Sequence, residues 1–107
     1  MSLQDKVKQF QSAFADATEN VFHFPKTDMA APYIVWQESG ANTLFANNST
    51  VEQAVTGTLG YYTKTEFDPV VDTIQNKLIT IGCVWKLISI VYEAETGLIH
   101  YEWKWEL

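Results

Sequence analysis

Apolar positions along this chain change period several times, and each change marks an element. Leu3, Val7, Phe10, Phe14, Ala17 and Val21 recur at steps of four and three, the spacing that sets side chains on one side of a helix. Ser2 can cap that helix and Asp5 suits its positive end, so an amphipathic helix of about five turns is predicted from Leu3 towards Val21. Phe22 to Pro32 carries two prolines and reads as a crossing segment, with a short extended stretch around His23 that ends at Pro25. Tyr33 to Glu38 is β-branched and aromatic, launched by Pro32 and closed by Ser39-Gly40, which predicts a strand.

A second strand is expected over Gln53 to Thr63, where Val55, Leu59 and Tyr61 alternate with Thr56, Thr58 and Tyr62. Gly57 and Gly60 inside it point to a bulge or a close backbone approach. Asp68-Pro69 then opens a second helix whose stripe is Val71, Ile74, Leu78 and Ile81, and Gly82 is its natural stop. The last stretch predicts a β-hairpin: Val84 to Tyr92, a turn over Glu93 to Gly97, and Leu98 to Leu107. In its second arm Ile99, Tyr101, Trp103, Trp105 and Leu107 alternate with His100, Glu102, Lys104 and Glu106. One face is therefore aromatic and the other charged. Rings of that size each bury roughly 150–250 Å², so the aromatic face is the natural wall for both helices.

The expected architecture is a single α+β domain over residues 1–107 in two layers. Two helices pack on a mainly antiparallel four-stranded sheet, in the order α-β-β-α-β-β. Between the first two predicted strands, residues 40–51 read as a long polar loop with two apolar residues, Leu44 and Phe45, followed by Asn47 and Asn48. Loops of that length are uncommon in compact domains and are usually functional or disordered. Leu44 and Phe45 either fold back as a local plug or anchor an arm on a neighbouring subunit.

Composition narrows the function. The 107 residues include four Trp and six Phe but no Arg, and the net charge is -6. Without Arg the chain lacks the side chain of choice for bidentate recognition of phosphate or guanine, and its acidity repels nucleic acid. Cys83 is alone, so neither an intrachain disulfide nor a thiolate metal cluster is available; a small buried hydrophobe is its expected role. Nothing at the start reads as a secretory leader, and no apolar run approaches the ~20 residues of a membrane span.

Candidate chemistry is sparse. His23 has Asp28 near it in sequence but no ligand spacing, and an ordinary surface or half-buried place between Phe22 and Phe24 suits it better. His100, Glu102 and Glu106 share a strand face and carry groups that can ligate a metal, yet a solvated or partner-facing strand explains them as well. No nucleophile–base arrangement is suggested, so no enzyme and no cofactor are expected.

The series Pro32-Tyr33-Ile34-Val35-Trp36-Gln37, Gly57-Thr58-Leu59-Gly60-Tyr61-Tyr62-Thr63-Lys64-Thr65-Glu66-Phe67-Asp68-Pro69 and Thr96-Gly97-Leu98-Ile99-His100-Tyr101-Glu102-Trp103-Lys104-Trp105 resembles the tail terminator, or tail completion, proteins of long non-contractile-tailed bacteriophages and prophages. The resemblance spans nearly the whole chain and rests on packing and turn patterns. It implies a structural protein that forms a homo-oligomeric ring, a hexamer in that family. Such a ring caps the major tail tube protein and joins the tail to the head–tail connector. DNA then passes through the ring without specific binding, no membrane is involved, and the protein is assembled in the bacterial cytoplasm and resides in the virion. The resemblance also implies interface roles for the 40–51 segment, with Leu44, Phe45, Asn47 and Asn48 as candidates. His100, Glu102, Lys104 and Glu106 are candidates for a lumen or subunit face. Two other readings are another connector-layer protein, such as a stopper or head-completion protein, and a monomeric ligand-binding α+β domain.

Overall fold

A computed structural model describes residues 3–18, 20–46 and 49–107, with side chains described for 4–18, 20–40 and 54–107. Two helices and five strands follow one another as α1 (Leu3–Phe14), β1 (Val21–His23), β2 (Tyr33–Ala46), β3 (Ser49–Thr63), α2 (Val70–Ile81), β4 (Val84–Glu93) and β5 (Leu98–Glu106). The strands form one sheet in the order β1-β2-β3-β5-β4.

The α+β class holds, but the sheet departs from expectation in three ways. It has five strands, because Val21–His23 pairs with β2 through Val21↔Ile34 and His23↔Trp36. That pairing is parallel, so the sheet is mixed. The element order is accordingly α-β-β-β-α-β-β. Residues 40–51 are not a loop either: most of them continue β2 and β3, which pair out to Ala46↔Ser49.

The first helix is shorter than its stripe. It ends at Phe14, and the amide of Ala17 turns back to the carbonyl of Phe14 at 3.0 Å. Ala17 and Val21 still pack against the core, from a turn and a strand respectively. The helical spacing therefore persists in the sequence after the helix has stopped.

Val7, Phe10 and Phe14 of α1 and Ile74 and Leu78 of α2 meet Ile34, Trp36, Leu59, Tyr61, Trp103 and Trp105 of the sheet in one buried cluster. Phe10 lies at its centre, 4.1 Å from the Trp105 ring and 5.4 Å from Trp36. Each helix also receives an indole N–H. Trp36 donates to the side-chain oxygen of Gln11 at 3.0 Å, and Trp103 donates to that of Gln75 at 3.2 Å. A buried indole usually finds an acceptor, and these two glutamines tie the helices to the sheet; the Trp105 indole N–H has no partner among the described residues. Trp105 has no room to spare: a Cβ on Gly57 would lie 2.3 Å from its Cζ2 atom. Gly57 and Gly60 are thus the close approaches their sequence suggested. The bulge itself lies across from Gly57, where the register steps from Glu38 to Gly40.

The second helix follows its sequence. Gly82 closes it in the left-handed conformation at φ 93°, which glycine adopts without steric cost. At its start Asp68 stands one residue before the cap position. It accepts from the Tyr61 hydroxyl and the Thr63 hydroxyl, each at 2.7 Å, and from the Val70 amide at 2.9 Å. Burial pushes this carboxyl upward, but the three donors outweigh it and hold Asp68 below the usual carboxylate range. The carboxylate therefore locks the end of β3 to the beginning of α2.

Candidate assembly surfaces

The helices cover one face of the sheet and leave the other open. Register assigns every side chain on that helix-free face, since paired residues project the same way. His100, Glu102, Lys104 and Glu106 all lie on it, as period two predicts. His100 stands between Val91 and Tyr62, Glu102 between Ser89 and Gly60, Lys104 between Lys86 and Thr58, and Glu106 between Val84 and Thr56.

Only part of this face is charged. A row of rings crosses it from Phe22 through Tyr33 and Tyr62 to His100, with centroid separations of 6.4, 4.5 and 4.0 Å. Gly60 makes space for the end of the row, since a Cβ there would come within 3.2 Å of His100 Nε2. That nitrogen is buried with no hydrogen-bond partner among the described residues. Burial, followed by the charges of Tyr33, Glu93 and Glu102, pushes the Tyr62 hydroxyl up to about 12. Sequence alternation marked the charged half of the face. The aromatic half escaped it because its members lie on four different strands and meet only through register.

Lys86 and Lys104 sit directly opposite each other at the far side of that face. Neither forms an ion pair among the described residues, where the pairs are His23 with Glu38 and Lys77 with Asp16. His23 stacks face to face on Trp36 at 3.8 Å and on Phe24 at 4.1 Å. Its charged neighbour is Glu38, not Asp28. Among the described residues no group of three His, Cys, Asp or Glu side chains converges as metal ligands would, so His100, Glu102 and Glu106 are a row rather than a cage. Cys83 is half-buried against the core, and burial pushes its thiol up to about 11.

The arm made by β2 and β3 is the most prominent geometric feature. β1 covers β2 only along Ile34 to Trp36, and β5 covers β3 only from Thr56 to Thr63, with Val55 bonding to Leu107. Beyond that, residues 42–46 and 49–54 pair with each other alone among the described residues. The molecule is correspondingly long, 53 × 26 × 24 Å. Leu44 and Phe45 stand on this arm, in β2, opposite Glu52 and Thr50. Their side chains, and Asn47 and Asn48 altogether, lie outside the described residues.

A second exposed surface was not anticipated. The edge strand β4 presents Val84, Ile88, Ile90, Val91 and Tyr92 to solvent. Its edge position follows from the strand order of the sheet and carries no mark in its own sequence. Phe67, at the corner between β3 and α2, is 89% exposed with φ 56°.

The cavities among the described residues are shallow surface depressions rather than a single enclosed site. One of about 280 Å³ lies along Val84, Lys86 and Lys104. No helix is long and apolar enough to cross a membrane. No protein-family profile matches this sequence, and no curated protein matches it.

Proposed function

We propose that this chain is the tail terminator, or tail completion protein, of a tailed bacteriophage or prophage: a structural subunit that assembles into a ring, caps the tail tube and joins it to the head connector. The observation that carries the reading is the β2–β3 arm. A two-stranded ribbon is marginal in water by itself, and this one leaves the sheet that anchors it. Its stability as a ribbon is explained when a neighbouring subunit or the tube end takes up its edges. Leu44, Phe45, Asn47 and Asn48 are then the contact residues. The helix-free face, with His100, Glu102, Lys104 and Glu106, is the lumen or subunit face.

In this reading the protein acts by shape and carries out no reaction, so it needs no cofactor. The absence of Arg and the net charge of -6 suit a wall past which DNA slides without sticking. The protein belongs in the virion at the head–tail joint, after assembly in the host cytoplasm.

The test is mass in solution, measured by light scattering with and without purified tail-tube protein. The expected result is a sixfold ring in the presence of the tube. The Leu44→Asp/Phe45→Asp variant should keep its circular dichroism and lose the ring. A chain that stays monomeric at every concentration and never binds tube ends contradicts the proposal. Binding only to the connector side would make it a stopper or head-completion protein.

A further inference from the structure

We infer that the β4 edge is a self-pairing surface whose occupant is β4 of a second copy, antiparallel and centred on Ile90. The inference stands apart from the ring: an isologous contact closes at two copies, and it uses β4 rather than the arm.

Three observations converge on it. β4 is the terminal strand of the sheet, so one row of its backbone groups has no strand beside it. Edges of that kind are normally blunted by charge, proline or a bulge; Lys86 and the bulge at Ile88 guard one half of this one, while the other half exposes Ile90 at 59% and Tyr92 at 66%. Those two side chains are on the helix side, opposite Tyr101 and Ile99. There they form a rim with Lys64 and Glu66 around an open depression rather than a covered core.

The register supplies the choice of partner. Ile88 is an extra residue in β4, because Leu87 pairs with Trp103 and Ser89 with Glu102. The bulge reverses the phase of the strand, so Lys86 before it and Glu93 after it face the same side. Without the bulge, residues seven apart would face opposite sides. A twofold axis through Ile90 then sets Ile90 against Ile90 of the second copy and Ser89 against Val91. It also sets Leu87 against Tyr92 and Lys86 against Glu93. Each pairing keeps to one face: Ile90–Ile90 and Leu87–Tyr92 set apolar against apolar on the helix side, and on the other side Ser89 meets Val91 and Lys86 meets Glu93, cation against anion.

Lys86 also gains what its own subunit withholds. It lies opposite Lys104, and like charges directly across a ladder are unfavourable. Glu93 keeps one oxygen on the Thr96 hydroxyl at 3.2 Å, and its other oxygen is available to the Lys86 ammonium of the second copy. Two such pairs form at once.

Sedimentation equilibrium on the full chain, with cross-linking, decides the matter. The expected result is a monomer–dimer equilibrium. Ile90→Cys should oxidise to a disulfide-linked dimer, while Val84→Cys, at a more exposed position outside the paired stretch, should not. Ile90→Lys should be monomeric with unchanged near-ultraviolet circular dichroism. Lys86→Glu and Glu93→Lys should each weaken the dimer about tenfold, since two symmetry-related pairs turn repulsive together. The double exchange should restore it. Lys86→Glu should also raise the melting temperature of the monomer by removing the clash with Lys104, the opposite sign from its effect on the dimer. A wild-type chain that sediments as a monomer up to millimolar concentration overturns the inference. So do equal cross-linking at Val84→Cys and a double exchange that fails to restore pairing.

Discussion

Adding a single methyl group at Gly57 is the most demanding check on how the sheet meets the helices. An alanine Cβ there would stand 2.2 Å from the carbonyl oxygen of Gln37 and 2.3 Å from Cζ2 of Trp105. Neither neighbour can yield easily. The carbonyl belongs to β2 beside its bulge, in the stretch laddered to β3 through Gln37↔Thr58 and Glu38↔Gly57. The indole is 1% exposed and rests on Phe10 at 4.1 Å. Overpacking a filled core costs about 1–3 kcal/mol, and a contact with backbone on one side places Gly57→Ala at the upper end. Alanine returns roughly 0.5–1 kcal/mol through the lower entropy of its unfolded chain. The expected net loss is about 2 kcal/mol, a large part of the ~5–15 kcal/mol of a typical domain. Urea unfolding followed by tryptophan fluorescence should show it as a midpoint about 1 M lower, for a slope of roughly 2 kcal/mol/M. Gly40→Ala is the control, because its nearest neighbour is the Thr56 hydroxyl at an ordinary 3.7 Å; with no clash to offset the same entropy term, it should be unchanged or up to about 1 kcal/mol more stable. A Gly57→Ala midpoint equal to that of wild type would refute the seating of Trp105 against β3, and with it the placement of α1.

Other expectations follow from single contacts. Asp68→Ala strands the hydroxyls of buried Tyr61 and Thr63 and should cost about 2–4 kcal/mol by urea titration. Because the native carboxyl of Asp68 lies below its ordinary value, its contribution is complete above about pH 4 and is lost as pH falls through the native value. Acid titration of wild type and Asp68→Asn should therefore converge at low pH. Phe67→Gly removes an exposed ring from a left-handed backbone, so the isolated protein should be unchanged or up to about 1 kcal/mol more stable; a clear loss in a thermal melt would show that Phe67 packs in its own subunit. Cys83, with its thiol at about 11, should react with a disulfide reagent at neutral pH far more slowly in the native protein than in urea.

The sequence was most legible where burial and local geometry agree. The Ile74–Leu78 stripe with Gly82 after it, and the alternation around Trp103 and Trp105, each encode an element and its buried side together. β1 was harder, since three residues are too few for a period and its partner is parallel. The end of α1 was hidden because Ala17 and Val21 reach the same core from outside the helix. Residues 40–51 include three Asn, two Ala and one Gly, types depleted in strands, and the backbone ladder that pairs 40–46 with 49–56 leaves no such signature. For the candidate surfaces, period two placed His100, Glu102, Lys104 and Glu106 correctly on one face. The Phe22–Tyr33–Tyr62–His100 row required the register of four strands, and the edge position of β4 required the strand order.

Electron microscopy of purified tail tubes mixed with this protein tests the proposed ring most directly. A ring of sixfold symmetry should be seated on one end of the tube and be absent when Leu44→Asp/Phe45→Asp replaces the wild type. Bare tube ends with the wild-type protein in excess would contradict it.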